Sequence, residues 1–151
     1  TAALQIKNTG MAVTVDIGNI KNIHPSNKQD VGKRLALWAL ANTYGQMDLV
    51  YSGPLYKSHK TVGDKITISF NHVGDGLIAR DGKSLSHFQV AGADKAFVAA
   101  TAVVVGDTVV VSSPLVKAPV AVRYAWHQLA EPNLSNKNCL PASPFRTDNW
   151  K

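Results

Sequence analysis

The sequence predicts an α/β opening followed by antiparallel β structure, and three observations predict it. Residues 11–17 alternate apolar and polar side chains up to Gly18. A helix start signal and helical apolar spacing fill residues 26–45. After Gly45 the texture changes to short runs rich in valine, isoleucine and threonine, separated by Gly-Asp turns.

The first run, with its two valines, reads as a strand that Gly18 ends, and the next six residues read as a loop. Pro25 disfavours helical geometry at the residue before it, so His24 is expected to be extended, with the helix starting just beyond. Ser26 with Gln29 matches a capping box, and Asn27 with Asp30 offers a second register for the same start. Val31, Leu35, Trp38 and Ala41 then fall at helical spacing, and Leu37 and Leu40 widen the apolar face. Asn42 makes the last turn less apolar. Gly45 stands where a C-cap glycine would close the helix.

Strands are expected at 65–73, 87–91, 96–105, 108–113 and 120–126. Between them, Gly63-Asp64, Gly74-Asp75-Gly76, Asp81-Gly82 and Gly106-Asp107 carry the chemistry of tight turns. Such spacing suits an antiparallel meander or sandwich. The change of texture falls at 46–54, punctuated by Ser52-Gly53-Pro54, and divides the chain into 1–45 and 46–151. From residue 131 onward the chain is rich in Pro, Asn and Ser and lacks periodicity. It is expected to pack as an ordered irregular strap, because Leu140, Phe145 and Trp150 would otherwise be exposed.

With 151 residues, 45% of them hydrophobic, the chain can build a real core. It holds no apolar run near the roughly 20 residues that span a bilayer, and no basic-then-apolar signal segment, so no membrane partner is expected. Its first residue, Thr1, suggests a processed or internal start. The net charge of +6 would permit attraction to an anionic surface, but the lysines are spread along the chain with no dense basic run. Nucleic acid is therefore not an expected partner. The single cysteine, Cys139, excludes an intrachain disulfide scaffold and reads as a spare loop thiol.

His24 holds the position a general base needs, at the mouth of a strand-helix connection where α/β enzymes gather their chemistry. A loop histidine also fits a structural or surface role. Asn19 and Asn22 could orient its ring. Asp16 could partner it only if the loop folds back, and otherwise bonds backbone near the strand end. His59, His72, His87 and His127 show no metal-site spacing, and Cys139 does not join them, so no metal site is expected. Gly106-Asp107-Thr108 is explained by a hairpin turn, and no Gly-x-Ser-x-Gly elbow or phosphate loop is present. Trp38 reads as core. Trp126 and Trp150 read as packed side chains or as sugar-stacking platforms, and Arg146 with Asp148 as an ion pair anchoring the tail.

Asn8-Thr9-Gly10-Met11-Ala12-Val13-Thr14-Val15-Asp16-Ile17-Gly18, then Ile23-His24-Pro25 and Asn27-Lys28-Gln29-Asp30-Val31-Gly32-Lys33-Arg34-Leu35-Ala36-Leu37, closely resemble the carboxy-terminal part of the sialate O-acetylesterase family. So do Tyr44-Gly45, Ser52-Gly53-Pro54, Val120-Ala121-Val122-Arg123-Tyr124-Ala125-Trp126 and the end, Leu140-Pro141-Ala142-Ser143-Pro144-Phe145-Arg146-Thr147-Asp148-Asn149-Trp150. The resemblance covers nearly the whole chain, and its two ends are the specific parts. It implies an SGNH-type hydrolase that removes acetyl groups from sialate or plant-polysaccharide sugars through a serine nucleophile. His24, the histidine before proline, would be its catalytic base. The serine and the oxyanion-hole glycine and asparagine would lie upstream, on a portion of the same esterase present as a second chain or otherwise absent here.

By the same resemblance, residues 1–45 would be the last strand and helix of a doubly wound α/β hydrolase domain, and 46–151 a β-sandwich-like domain. No metal or organic cofactor is implied, and the location implied is extracellular or periplasmic. One departure stands out: where many such enzymes carry an aspartate three residues before the histidine, this chain has Lys21. An acid from elsewhere, or a backbone or amide group, would then orient the ring. Two other classes fit parts of the sequence. One is a non-catalytic carbohydrate-binding β-sandwich that stacks sugars on Trp126 or Trp150, and the other, with less support, is a basic module for nucleic acid or anionic surfaces.

Overall fold

The computed structural model describes residues 2–150, so Thr1 and Lys151 lie outside the description. A 3-10 turn (Ala2–Gln5) precedes one helix, α1 (Lys28–Asn42), and ten strands follow. They are β1 (Leu55–Val62), β2 (Lys65–Asn71), β3 (Leu77–Ala79), β4 (Phe88–Ala91), β5 (Val98–Ala99), β6 (Thr101–Val105), β7 (Thr108–Ser112), β8 (Ala121–Tyr124), β9 (Leu134–Asn136) and β10 (Phe145–Arg146).

The strands form two four-stranded sheets, in the orders β1-β2-β7-β6 and β10-β8-β4-β5, and a β3-β9 pair. Each pairing is antiparallel. Alternation does the sorting. Ile66, Ile68 and Phe70 of β2 and Val109 and Val111 of β7 point inward, where Val90, Val122, Tyr124 and Phe145 of the other sheet meet them in one core. Phe88, Tyr124 and Phe145 form its aromatic centre, with ring centroids 4.6 and 5.6 Å from that of Tyr124. Burial raises the Tyr124 hydroxyl pKa, and that hydroxyl accepts from the Leu134 amide, fixing β9 to this centre.

The β1-β2 and β6-β7 hairpins turn through Gly63-Asp64 and Gly106-Asp107. Their glycines have φ of 60° and 57°, as the first central residue of a type II′ turn requires. Gly106-Asp107-Thr108 is thus a hairpin turn with no nucleophile geometry. Gly53 answers a different need. A Cβ there would lie 2.0 Å from the Pro141 carbonyl oxygen and 2.8 Å from that of Leu140, so the tail backbone lies directly on this residue. Gly53→Ala is expected to lower stability by about 3 kcal/mol, read as a lower urea midpoint. A midpoint equal to that of the parent would show that the tail moves aside freely.

Two expectations for the first 45 residues change. Residues 11–17 form no strand: the chain runs irregularly to a turn in which the Ile17 amide donates to the Thr14 carbonyl at 3.2 Å. Among the described residues no strand lies beside this segment to complete its ladder. The helix starts in the second register, where the Asp30 amide donates to Asn27 Oδ1 at 3.1 Å and Asn27 Nδ2 donates to Asp30 Oδ2 at 2.8 Å. It ends earlier than expected. Thr43 is the C-cap, and Gly45, with φ of 74°, lies two residues beyond it.

The tail is a strap with strands in it. It contributes β9 and β10, and Asn136, fully buried, donates to the carbonyls of Ser52 and His72 while accepting from the Leu140 amide. At the end, Asp148 accepts from Arg123 at 2.8 Å and from Arg146 at 2.6 Å, with its side chain fully buried. The Arg123 hydrogen bond holds the Asp148 carboxyl at about 2, below its ordinary 3.8, against the opposing effect of burial. A folded-state pKa below the unfolded one adds stability that is complete above about pH 4 and is lost as pH falls toward 2, and it amounts to roughly 2 kcal/mol. Asp148→Asn is therefore expected to lower the neutral-pH unfolding midpoint and to flatten its fall between pH 4 and 2. An unchanged acid limb would contradict that assignment.

Candidate functional site

His24 lies exposed in the loop between the 14–17 turn and α1. The loop is shaped by two side-chain turns: Asn19 Oδ1 accepts from the Lys21 amide at 2.8 Å, and Asn22 Oδ1 from the His24 amide at 2.9 Å. Both asparagines therefore hold backbone, and neither orients the ring as the sequence allowed. Ile23 beside it is 90% exposed and Ile20 is 60% exposed.

Asp16 is committed elsewhere. Its carboxylate takes a two-pronged bond from Arg34, Nη1 to Oδ1 at 2.7 Å and Nη2 to Oδ2 at 2.8 Å, while Nη1 also donates to the Val13 carbonyl at 2.6 Å. The two side chains are only 9% and 8% exposed. This ion pair joins the segment before the His24 loop to the helix after it. Sequence reasoning missed it, although a signal was present: Arg34 interrupts the stripe formed by Val31, Trp38 and Ala41, a place where a charge needs a buried partner.

The other histidines disperse. His59 is exposed on β1, with Nδ1 2.7 Å from the Tyr56 hydroxyl. His87 and His127 are exposed at turns, and the His127 ring accepts from the Leu129 amide. His72 departs from a surface role. With φ of 60° it turns its ring into a partly buried cluster, 5.2 Å from Tyr51 and 6.5 Å from Trp38, and burial lowers its pKa. Through this cluster α1 docks on the β sheets, so Trp38 is packed as expected but at a junction between elements. Cys139 is a free, exposed thiol. Among the described residues no group of three or more His, Cys, Asp and Glu side chains converges to hold a metal, and no helix is long and apolar enough to cross a membrane.

The anticipated tail ion pair is present, with Arg123 as its second cation. Trp150 packs on Phe97 at 5.6 Å, with Lys95 5.7 Å from its ring. Trp126 is 48% exposed beside the Arg146 guanidinium, 5.6 Å from its ring. It opens onto a groove of about 860 Å³ that the sequence did not disclose, since its walls come from both ends of the chain.

No family model matches the chain. Its fold has a close counterpart among solved structures: a novel carbohydrate acetylesterase from Xanthomonas citri, 49% identical, with a TM-score of 0.93 over 97% of this chain and 34% of that one. The chain is therefore similar to carbohydrate acetylesterases. More narrowly, it resembles the sialate O-acetylesterase family, being 42% identical over 57 residues to the sialate O-acetylesterase of Mus musculus. That match takes in 35% of this chain and 10% of the mouse protein. The chain thus spans about a third of the solved relative and a tenth of the curated one.

Proposed function

We propose that this chain is part of a serine-type carbohydrate O-acetylesterase and supplies its general base, His24. The observation that carries the reading is the 49% identity to a carbohydrate acetylesterase along 97% of the chain, whose full length is about three times greater. In this reading residues 1–45 complete a doubly wound SGNH-type sheet, and 46–151 form the sandwich-like domain behind it. The unladdered segment 11–17 would gain its strand neighbours from the upstream portion, present as a second chain or as more of the same polypeptide. Exposed Ile20, Ile23 and Leu35 would be covered by it. A location outside the cytoplasm belongs to the same proposal.

The chemistry is acyl transfer. A serine hydroxyl on the upstream portion attacks the acetyl carbonyl as His24 takes its proton, and His24 returns that proton to the departing sugar oxygen. Water then attacks the acetyl-serine, giving its proton to His24, which passes it to the serine oxygen as acetate leaves. Because Asp16 is held by Arg34 and residue 21 is a lysine, the group that orients the His24 ring would come from that same portion.

A fluorophosphonate probe followed by native and then denaturing mass spectrometry tests the division of labour. The expected result is one covalent label on a serine outside residues 1–151, in a species that contains this chain. A label on a serine of this chain, or an active esterase that takes no label, would overturn the proposal.

A further inference from the structure

Trp126 and the groove beside it are used by no step of the esterase chemistry. We propose that this groove is a glycan-binding subsite with Trp126 as its stacking platform. At about 860 Å³ it lies in the range of small-molecule sites, about 300–1,000 Å³. One wall is the 3-10 turn and the residues after it; the other combines α1, β1, the end of β2 and β10.

Three features favour a sugar chain over other occupants. The first is a half-exposed indole. The Arg146 guanidinium stands 5.6 Å from the Trp126 ring and is itself held by the Asp148 carboxylate and the Trp150 carbonyl, so an anchored cation lies beside the platform. An exposed indole matches the C–H face of a pyranose while leaving its hydroxyls free for polar partners.

The second is the polar lining. Asn42 and Asn71 offer neutral amide groups that both donate and accept, as hydroxyls require, and the Asn42 amide is steadied by its bond to the Trp38 carbonyl. No Asp or Glu lines the groove among the described residues, so nothing there selects a cation.

The third is His72. Its left-handed backbone carries the ring to the groove wall, and its partial burial favours the neutral ring, which offers one donor and one acceptor. The apolar lining, Leu4, Ile6, Leu55 and Phe145, faces the C–H surfaces of a sugar chain, and the amides face its hydroxyls.

The test is titration of the 151-residue chain, followed by tryptophan fluorescence, with two ester-free probes: xylohexaose, a neutral β-linked chain, and 3′-sialyllactose, which ends in an acidic sugar. Saturable binding of either is expected. The probe that binds tells whether the subsite takes a neutral backbone or a carboxylate-bearing terminus. Trp126→Ala should weaken binding about tenfold, and Leu115→Ala, an exposed side chain outside the groove, should leave it unchanged. If Trp126→Ala does not fold, Asn71→Ala at an exposed position carries the same test, with a severalfold loss expected. Failure of both probes to saturate overturns the proposal, as does parental affinity in the variant read. Because no ester is present and His24 is untouched, such a failure leaves the catalytic reading standing.

Discussion

On the proposed mechanism, His24→Ala is expected to lower acetate release by about four orders of magnitude or more in the assembly that holds the nucleophile, since removing a triad histidine leaves only binding and oxyanion stabilisation. Folding should be untouched. The side chain is exposed, and the bond that shapes its loop uses the His24 amide, which alanine retains. The unfolding free energy from urea titration should therefore stay within about 0.5 kcal/mol of the parent value. Near-normal turnover with normal stability would remove His24 from the mechanism. A matched loss of turnover and stability would make it a structural residue.

Arg34→Ala is expected to produce the largest loss of stability that bears on the site. It leaves the Asp16 carboxylate almost buried without its cation and the Val13 carbonyl without its donor. Breaking a buried pair from one side costs about 3–5 kcal/mol. The cost should reach function, because the pair joins the two anchors of the His24 loop, residues 13–16 before it and α1 after it. Turnover should fall together with the urea midpoint. Arg34→Lys, which keeps the charge but cannot make the two-pronged contact, should fall between. If Arg34→Ala loses stability but keeps full turnover, the loop holds His24 in place without this clamp.

The elements that were legible in the sequence are those whose signal is local. The strands rich in valine and isoleucine at 65–73, 108–113 and 120–126 declared themselves by alternation, and Gly-Asp pairs marked the hairpins. The helix was legible from its cap and apolar spacing, though its start fell at Asn27 and its end before Gly45. β1 was not, because seven of its eight residues are intermediate or exposed and its sequence, Leu-Tyr-Lys-Ser-His-Lys-Thr-Val, alternates in no useful way. It is a strand because β2 offers it a partner, and its lysines suit a sheet edge. β9 and β10 span three and two residues, too short for any period to register.

Residues 11–17 show the reverse. The pattern is that of a strand, but a ladder needs a neighbour, and among the described residues none lies alongside. The candidate site divides along the same line. His24 could be singled out from Ile-His-Pro and the helix start after it, both local features. The Arg34–Asp16 pair, the His72 cluster and the Trp126 groove join residues far apart in sequence, and only the folded chain brings them together.

Complementation decides whether this chain supplies the base: acetate release from an acetylated glycan is measured for this chain, for the rest of the proposed esterase without it, and for the two combined. Activity is expected from the combination alone, and none when the added chain carries His24→Ala. Full activity from the rest of the esterase by itself, or equal rescue by the His24→Ala chain, would contradict it.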